Sequence, residues 1–521
     1  MPILRTALAA TLALAPAAVL AQGPATGSIT AAFAAESTTL DPTRYSAGVD
    51  TYFISQMFEQ LVRPHPETLE PENWLAESWE LLEEDGKYVI DVRLRPNVTF
   101  HNGDPMTAED FEFAYERMSD PAISRWSHLQ RNVERFEIVD DLHFRLHFSE
   151  PDANYVAGFL HLWAIPKAYF QEVGDEGFGR APIGTGPFKF VSRTINEELR
   201  LEAYDDYWNQ DARPGVKNVT IKIIPEDLTR VAAFRTGDVD WIDAVPPAML
   251  SEVEALPGVE TTSRVSGNNL FLMIPTVIEG SPLQDVRVRR AIAHAIDVDA
   301  IIEAVLFGQG ERYVEVGEGS TGHDPDLKPH AYDPAKAREL LAEAGYAQGF
   351  DVPCYNLTTP REPNVREMGE AMFAFLSQVG IRCQVEGLEY SAWLNLGRTA
   401  TDTPQLDGLI SWMWGHGVPG DPGAPWAGHL HTFVPGEGWG SYSWVSDSEI
   451  DAMIRESITL MDPEARTAKL QEIARLKNER VLGGLTTYRP LVTFAWKSDK
   501  MDFTPTPVGF WRSLQGVQLK D

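Results

Sequence analysis

From Tyr88 the apolar residues Tyr88, Ile90, Val92 and Leu94 alternate with Val89, Asp91, Arg93 and Arg95. That is the two-residue period of a strand with one buried face. His101-Asn102-Gly103-Asp104-Pro105 is dense turn chemistry, and Thr107 then caps a helix whose Asp110 answers it from the third helical position. Phe111, Ala114, Tyr115 and Met118 fall on one face of that helix. Further strands are predicted over 28–33, 143–148, 199–203 and 219–224. A helix is predicted over 288–296 from the apolar stripe Val288, Ala291, Ile292, Ala295 and Ile296. Asp333 and Pro334 cap and start another helix that Gly345 stops. A strand at 350–356, a helix at 364–379 and a strand at 381–387 make a β-α-β unit with parallel pairing. Asp462-Pro463 opens a long helix ending near Gly483-Gly484, followed by a strand over 486–496. The pattern is α/β.

At 521 residues the chain exceeds what one core holds, so it divides into two or three lobes. Its formal charge is −32, and −33 once a leader carrying Arg5 is removed. Such acidity speaks against nucleic acid or anionic membrane surfaces as partners, and an acidic proteome accounts for it better than a cationic ligand does. Residues 1–21 read as a secretory leader, with Arg5 at its positive end, an apolar run from Ala7 to Leu20 and a small-residue cleavage site before Gln22. The run is short for a membrane span and contains Pro16. No cysteine precedes Cys354, so no lipid anchor is expected at the cleavage site. Cys354 and Cys383 fall in two predicted strands. They are either a bridge, which an oxidising compartment permits, or two buried thiols.

The order LAESWE, DGKY, RLR and FHNGDPMTAEDF between Leu75 and Phe111 closely resembles the signature of family 5 of the extracellular solute-binding proteins. These are periplasmic receptors of ABC importers for peptides, nickel chelates, glutathione and some sugars. Leu40-Asp41-Pro42, the turn Pro182-Ile183-Gly184-Thr185-Gly186-Pro187, residues 236–240, the 285–297 helix and the 333–346 helix resemble further family motifs. A phosphate cradle is not a rival for the 182–187 turn. Nothing there matches the P-loop spacing, and Pro187 lacks the backbone donor a cradle needs.

The resemblance implies a two-lobed periplasmic-binding-protein fold (type II, cluster C-like) with a third subdomain inserted in the first lobe. Residues 22–50, 182–266 and 485–521 would form the first lobe, 51–181 the insertion and 267–484 the second lobe. Two crossings make a hinge that shuts on a ligand. It further implies delivery of an oligopeptide or small polar molecule to ABC permease subunits of the inner membrane. The leader without an early cysteine suits free export to a Gram-negative periplasm, a monomer is the default, and no cofactor is expected.

Residues 410–433 hold Trp412, Trp414 and Trp426 among glycines and prolines that are expected to prevent regular structure. Aromatic faces there offer stiff contact area to a ligand; packing in a core is the other reading of Trp412 and Trp414. The peptide-binding relatives read W-x-x-D-Y here, with the aspartate pairing the ligand's α-ammonium. In this chain Met413, Trp414 and Gly415 follow Trp412, and Asp421 comes later. An opine, a sugar or a nickel chelate is therefore a rival to a peptide. His416, His429 and His431 read as loop histidines rather than a metal set. The resemblance also places Arg361 near a carboxylate-binding arginine, although a surface pair with Glu362 fits equally well. Tyr488 falls where relatives supply a hinge-strand tyrosine. Asn268 and Asn269 stand at the first crossing, and Tyr45 is a further candidate; Trp393 reads as packing. G-x-S-x-G and H-E-x-x-H are both absent, and no catalytic set stands out. An exported enzyme or a chaperone on the same fold is the alternative class.

Overall fold

The computed structural model describes residues 25–45, 48–65, 71–359, 362–397, 406–415, 421–434, 444–505 and 513–520. The leader expected over 1–21 lies outside them. Thr26–Phe33 runs parallel to Val216–Ile223, with Ile29 opposite Val219 and Ala31 opposite Ile221. Glu198–Ala203 and Phe188–Thr194 extend this sheet in antiparallel fashion. A separate antiparallel sheet has the order Ala76–Glu84, Lys87–Leu94, His143–Phe148, Val133–Asp140. Ile90, Val92 and Leu94 are buried as their alternation predicts. Val89, read as lying on the open face, is buried too, between Leu82 and His147 in the middle of the sheet. One continuous core joins both sheets.

The motifs that resemble those of family 5 stitch this first body together. The Asp110 carboxylate accepts the Thr107 backbone N–H at 2.8 Å and its hydroxyl at 3.1 Å, and fixes the start of helix Ala108–Ser119. The Gly186 N–H donates to the carbonyl of Met57, which ends helix Gly48–Met57. A Cβ on Gly184 would stand 2.1 Å from that carbonyl oxygen and one on Gly186 2.8 Å, so the close approach requires glycine at both positions. His101 clasps the same turn: its Nδ1 accepts from Gly184 N–H at 3.2 Å and its Nε2 lies 2.9 Å from the Gly186 carbonyl. Burial holds this imidazole neutral, its pKa lowered to about 4. Beside it, Glu59 is buried and accepts from Trp74 Nε1, Tyr207 OH, Trp208 Nε1 and Thr185 Oγ1 at 2.7, 2.6, 2.9 and 3.0 Å. Burial raises its pKa, and the four hydrogen bonds oppose the rise.

In the second body Phe350–Leu357 and Ile381–Leu388 pair in parallel around helix Val365–Gln378, the β-α-β unit read from the sequence. Cys354 and Cys383 form a disulfide with Cα atoms 5.3 Å apart, which settles the choice left open above. The helix expected over 288–296 ends at Ala295; a second, Val298–Leu306, begins because Asp297 accepts the Ala300 N–H at 3.0 Å as a new cap. The region 410–433 corrects the expectation of irregular chain. Leu409–Gly415 is a strand paired with Asn268–Met273, and Gly423–His429 is a short helix. Pairing supplies the strand's backbone partners, and the glycines and prolines gather after it. The helices Gly423–His429, Ser448–Thr459 and Pro463–Arg480 bury a smaller core of their own.

One strand joins the bodies. Leu485–Lys497, 13 residues long, pairs near its start with Asn268–Met273 and Gly310–Arg312, and further on with Val259–Val265 and Trp241–Ile242. The chain passes between bodies a second time right beside it, where the Ser266 N–H donates to the Pro490 carbonyl at 2.8 Å. Among the described residues twelve strands thereby form one sheet that runs through both bodies.

Candidate functional site

The bridging strand sets the centre of the site. Tyr488 lies on it between Leu270 and Arg312, is fully buried, and its hydroxyl has no hydrogen-bond partner among the described residues. Burial, then the nearby Glu362 carboxylate, pushes its phenol far above the ordinary range. Glu362 is buried and accepts from Ser266 Oγ at 3.2 Å and from Asn268 Nδ2 at 2.5 Å, so Asn268 is oriented by this carboxylate. Asn269, on the opposite face, is buried and stands in register with Trp414.

Trp412 is buried and stacks on Trp393 with ring centroids 3.8 Å apart; Trp393 in turn donates Nε1–H to the Ser411 carbonyl at 2.8 Å. Both rings are thus fixed in one slab, with Tyr390 stacked on Trp393 at 5.7 Å. The packing expected of Trp393 is present, and Trp412 shares it.

Tyr45 gathers partners on the first body that sequence reading missed. Its ring lies 5.4 Å from Trp126 and 5.9 Å from His161, its hydroxyl bonds to His161 Nδ1, and Trp126 stacks on His161 at 4.1 Å. His128 lies 6.4 Å from Trp126, and the Arg125 guanidinium stands over the same indole at 5.1 Å. Burial lowers the pKa of His161 to about 3 and of His128 to about 4, with neighbouring cations adding to the shift. Tyr45 and His161 are more than a hundred residues apart, so no local pattern announces the cluster.

Other candidates serve the second body itself. Trp426 is fully buried in the smaller core of the second body and donates to Glu315 Oε1 at 2.9 Å. Asp421 is paired with the Arg466 guanidinium. His429 bonds to the Pro425 carbonyl and His431 to the Thr432 carbonyl, each through Nδ1. Among the described residues no group of three or more His, Cys, Asp or Glu side chains could hold a metal ion. Arg361 and His416 lie outside the described residues, as does the side chain of Trp414.

The model of the bacterial extracellular solute-binding proteins, family 5 (middle), matches residues 70–432. This chain belongs to family 5. It is 27% identical over 451 residues to heme-binding protein A of Haemophilus influenzae, covering 81% of this chain and 79% of that one. It is 26% identical over 408 residues to the dipeptide-binding protein of Escherichia coli, covering 73% and 74%. Among solved structures it resembles the periplasmic binding protein DppA of Helicobacter pylori in complex with the peptide STSA, with a TM-score of 0.80 at 23% identity over 96% of this chain and 99% of that one. The agropinic-acid complex of AgaA from A. tumefaciens R10 matches equally well, with a TM-score of 0.80 at 22% identity over 95% and 99%. The two-lobed fold is therefore that of the family 5 solute-binding proteins. Members of this family are binding proteins of transporters. Within the family 5 frame, His101, Gly184 and Gly186 serve the packing of the first body.

Proposed function

We propose that this chain is the periplasmic receptor of an ABC importer. It shuts two lobes on an intact small solute and presents it to inner-membrane permease subunits. The lobes are those read from the sequence: 22–50 with 182–266 and 485–521, the insertion 51–181, and 267–484, exported by a cleaved leader and acting as a monomer. The observation that carries the reading is the shared strand Leu485–Lys497, with the Tyr488 hydroxyl unpartnered among the described residues at its centre. A buried hydroxyl left without a partner is costly, and a ligand group or water at that point removes the cost. The Tyr45–Trp126–His161 cluster offers stiff aromatic contact area through the half-buried Trp126 and His161, and the stacked Trp412 and Trp393 give the second body a firm aromatic slab.

A short peptide is the first ligand class, after the dipeptide-binding relatives. A non-peptide ligand such as an opine is the second. It is favoured by Met413-Trp414-Gly415, which puts no carboxylate where peptide receptors hold an ammonium. A thermal-shift panel of dipeptides, mannopinic acid, glutathione, nickel–histidine and heme on the mature protein separates them, since a ligand of the folded form raises its melting temperature. One class is expected to give a saturable rise. No rise with any of them, together with turnover of a test compound or stable capture of an unfolded chain, would favour the enzyme or chaperone alternative.

A further inference from the structure

The two bodies also meet outside the bridging strand. Residues 152–154 follow strand His143–Phe148 of the four-stranded sheet, whereas Arg466 lies in the first turn of helix Pro463–Arg480 in the second body. Here the Ala153 N–H donates to the Ile458 carbonyl at 2.8 Å, and Arg466 Nη2 donates to Asn154 Oδ1 at 2.7 Å. The loop is held rigid on its own side, because Asp152 accepts from Asn132 Nδ2 at 2.8 Å and from the Asn154 N–H at 2.9 Å. Arg466 is held equally firmly on the other side, by both oxygens of Asp421 and by the Ser457 carbonyl. Arg466 is 4% exposed, Asp152 6% and Asn154 9%, so the seam is closed to water.

The bonds divide into two kinds. Those from Arg466 to Asp421 and Ser457 lie within one body and survive any separation. The bonds to Asn154 and between Ala153 and Ile458 exist only while the bodies touch. Because each side is already rigid, joining them orders little new structure. Gly423 shows how tightly the seam is fitted: a Cβ there would stand 2.5 Å from Arg466 Nη2 and 2.9 Å from Asn154 Oδ1.

We propose that Asn154 and Arg466 form a latch that favours the shut state of the two bodies and thereby sets how firmly a solute is retained. The latch works with one charge-assisted and one neutral hydrogen bond, enough to bias an opening equilibrium without locking it. It belongs to the clamp proposed above, yet it is read without any ligand, so either can fail alone.

The test is hydrogen exchange on the full mature protein, ligand-free, comparing wild type with Asn154→Ala and Gly423→Ala. The first removes the acceptor; the second drives a methyl group between acceptor and guanidinium. In wild type the Ala153 amide is expected to be protected. In both variants, peptides covering 150–158 should exchange about tenfold faster, while strand Lys87–Leu94 keeps its protection. The radius of gyration from small-angle scattering should rise with the loss of protection. If either variant folds and shows unchanged exchange and an unchanged radius, the latch does not exist. Should Asn154→Ala fail to fold, Gly423→Ala decides alone.

Discussion

Tyr488 and Glu59 show opposite uses of a buried polar group. The Tyr488 hydroxyl has no partner among the described residues, so Tyr488→Phe removes a desolvation cost and leaves the packing intact. Stability should hold or rise by about 1 kcal/mol in urea unfolding, while affinity for the solute falls about tenfold. Unchanged affinity would take Tyr488 out of the site. Glu59 is fully partnered, with two donors on each oxygen. Glu59→Gln turns an NH2 group toward two of those donors, and should cost about 2–4 kcal/mol on the same measurement. The histidines give a pH test. His101, His128 and His161 have pKa values lowered from 6.5 to about 4, 4 and 3, so the unfolded chain binds their protons first. Their stabilisation is complete above pH 6.5 and is lost as pH falls toward 4. The melting temperature should decline already between pH 6.5 and 5, and a flat profile across that window would refute their neutrality.

Elements were legible where the pattern was local. The strand around Ile90, the β-α-β unit and the helix capped by Asp333 could be read because periodicity and caps lie within a few residues of one another. The Trp412 segment was misread because its composition averages a strand with the glycine- and proline-rich chain that follows. The Tyr45 cluster and the Arg466 seam were not legible at all. Asn154 and Arg466 are 312 residues apart, and an arginine in a charged helix reads as a solvated one. Pairing of cysteines was open for the same reason, since their distance depends on strand register. The bridge closes a 29-residue separation across two parallel strands, and its reduction should cost about 3 kcal/mol, seen as a lower melting temperature under dithiothreitol. Equal melting of the oxidised and reduced forms would show that the strands hold without it.

At the scale of the molecule, function rests on how two bodies share one strand. Leu485–Lys497 gives its opening residues to one body and the rest to the other, and the chain's other crossing lies alongside at Ser266. Two adjacent crossings allow rotation about a single line while both cores stay packed. The resemblance to family 5 implied the two-lobed fold, whereas periodicity alone implied only an α/β chain of several lobes. A charge of −32 favours solubility and speaks against nucleic acid or anionic membrane surfaces as partners. The central claim is that an intact solute is enclosed between the bodies. Native mass spectrometry of gently purified mature protein tests it most directly. It should show one small molecule per chain, released unchanged on denaturation and rebound by the stripped protein in the same ratio. A compound returned chemically altered after rebinding would contradict the account.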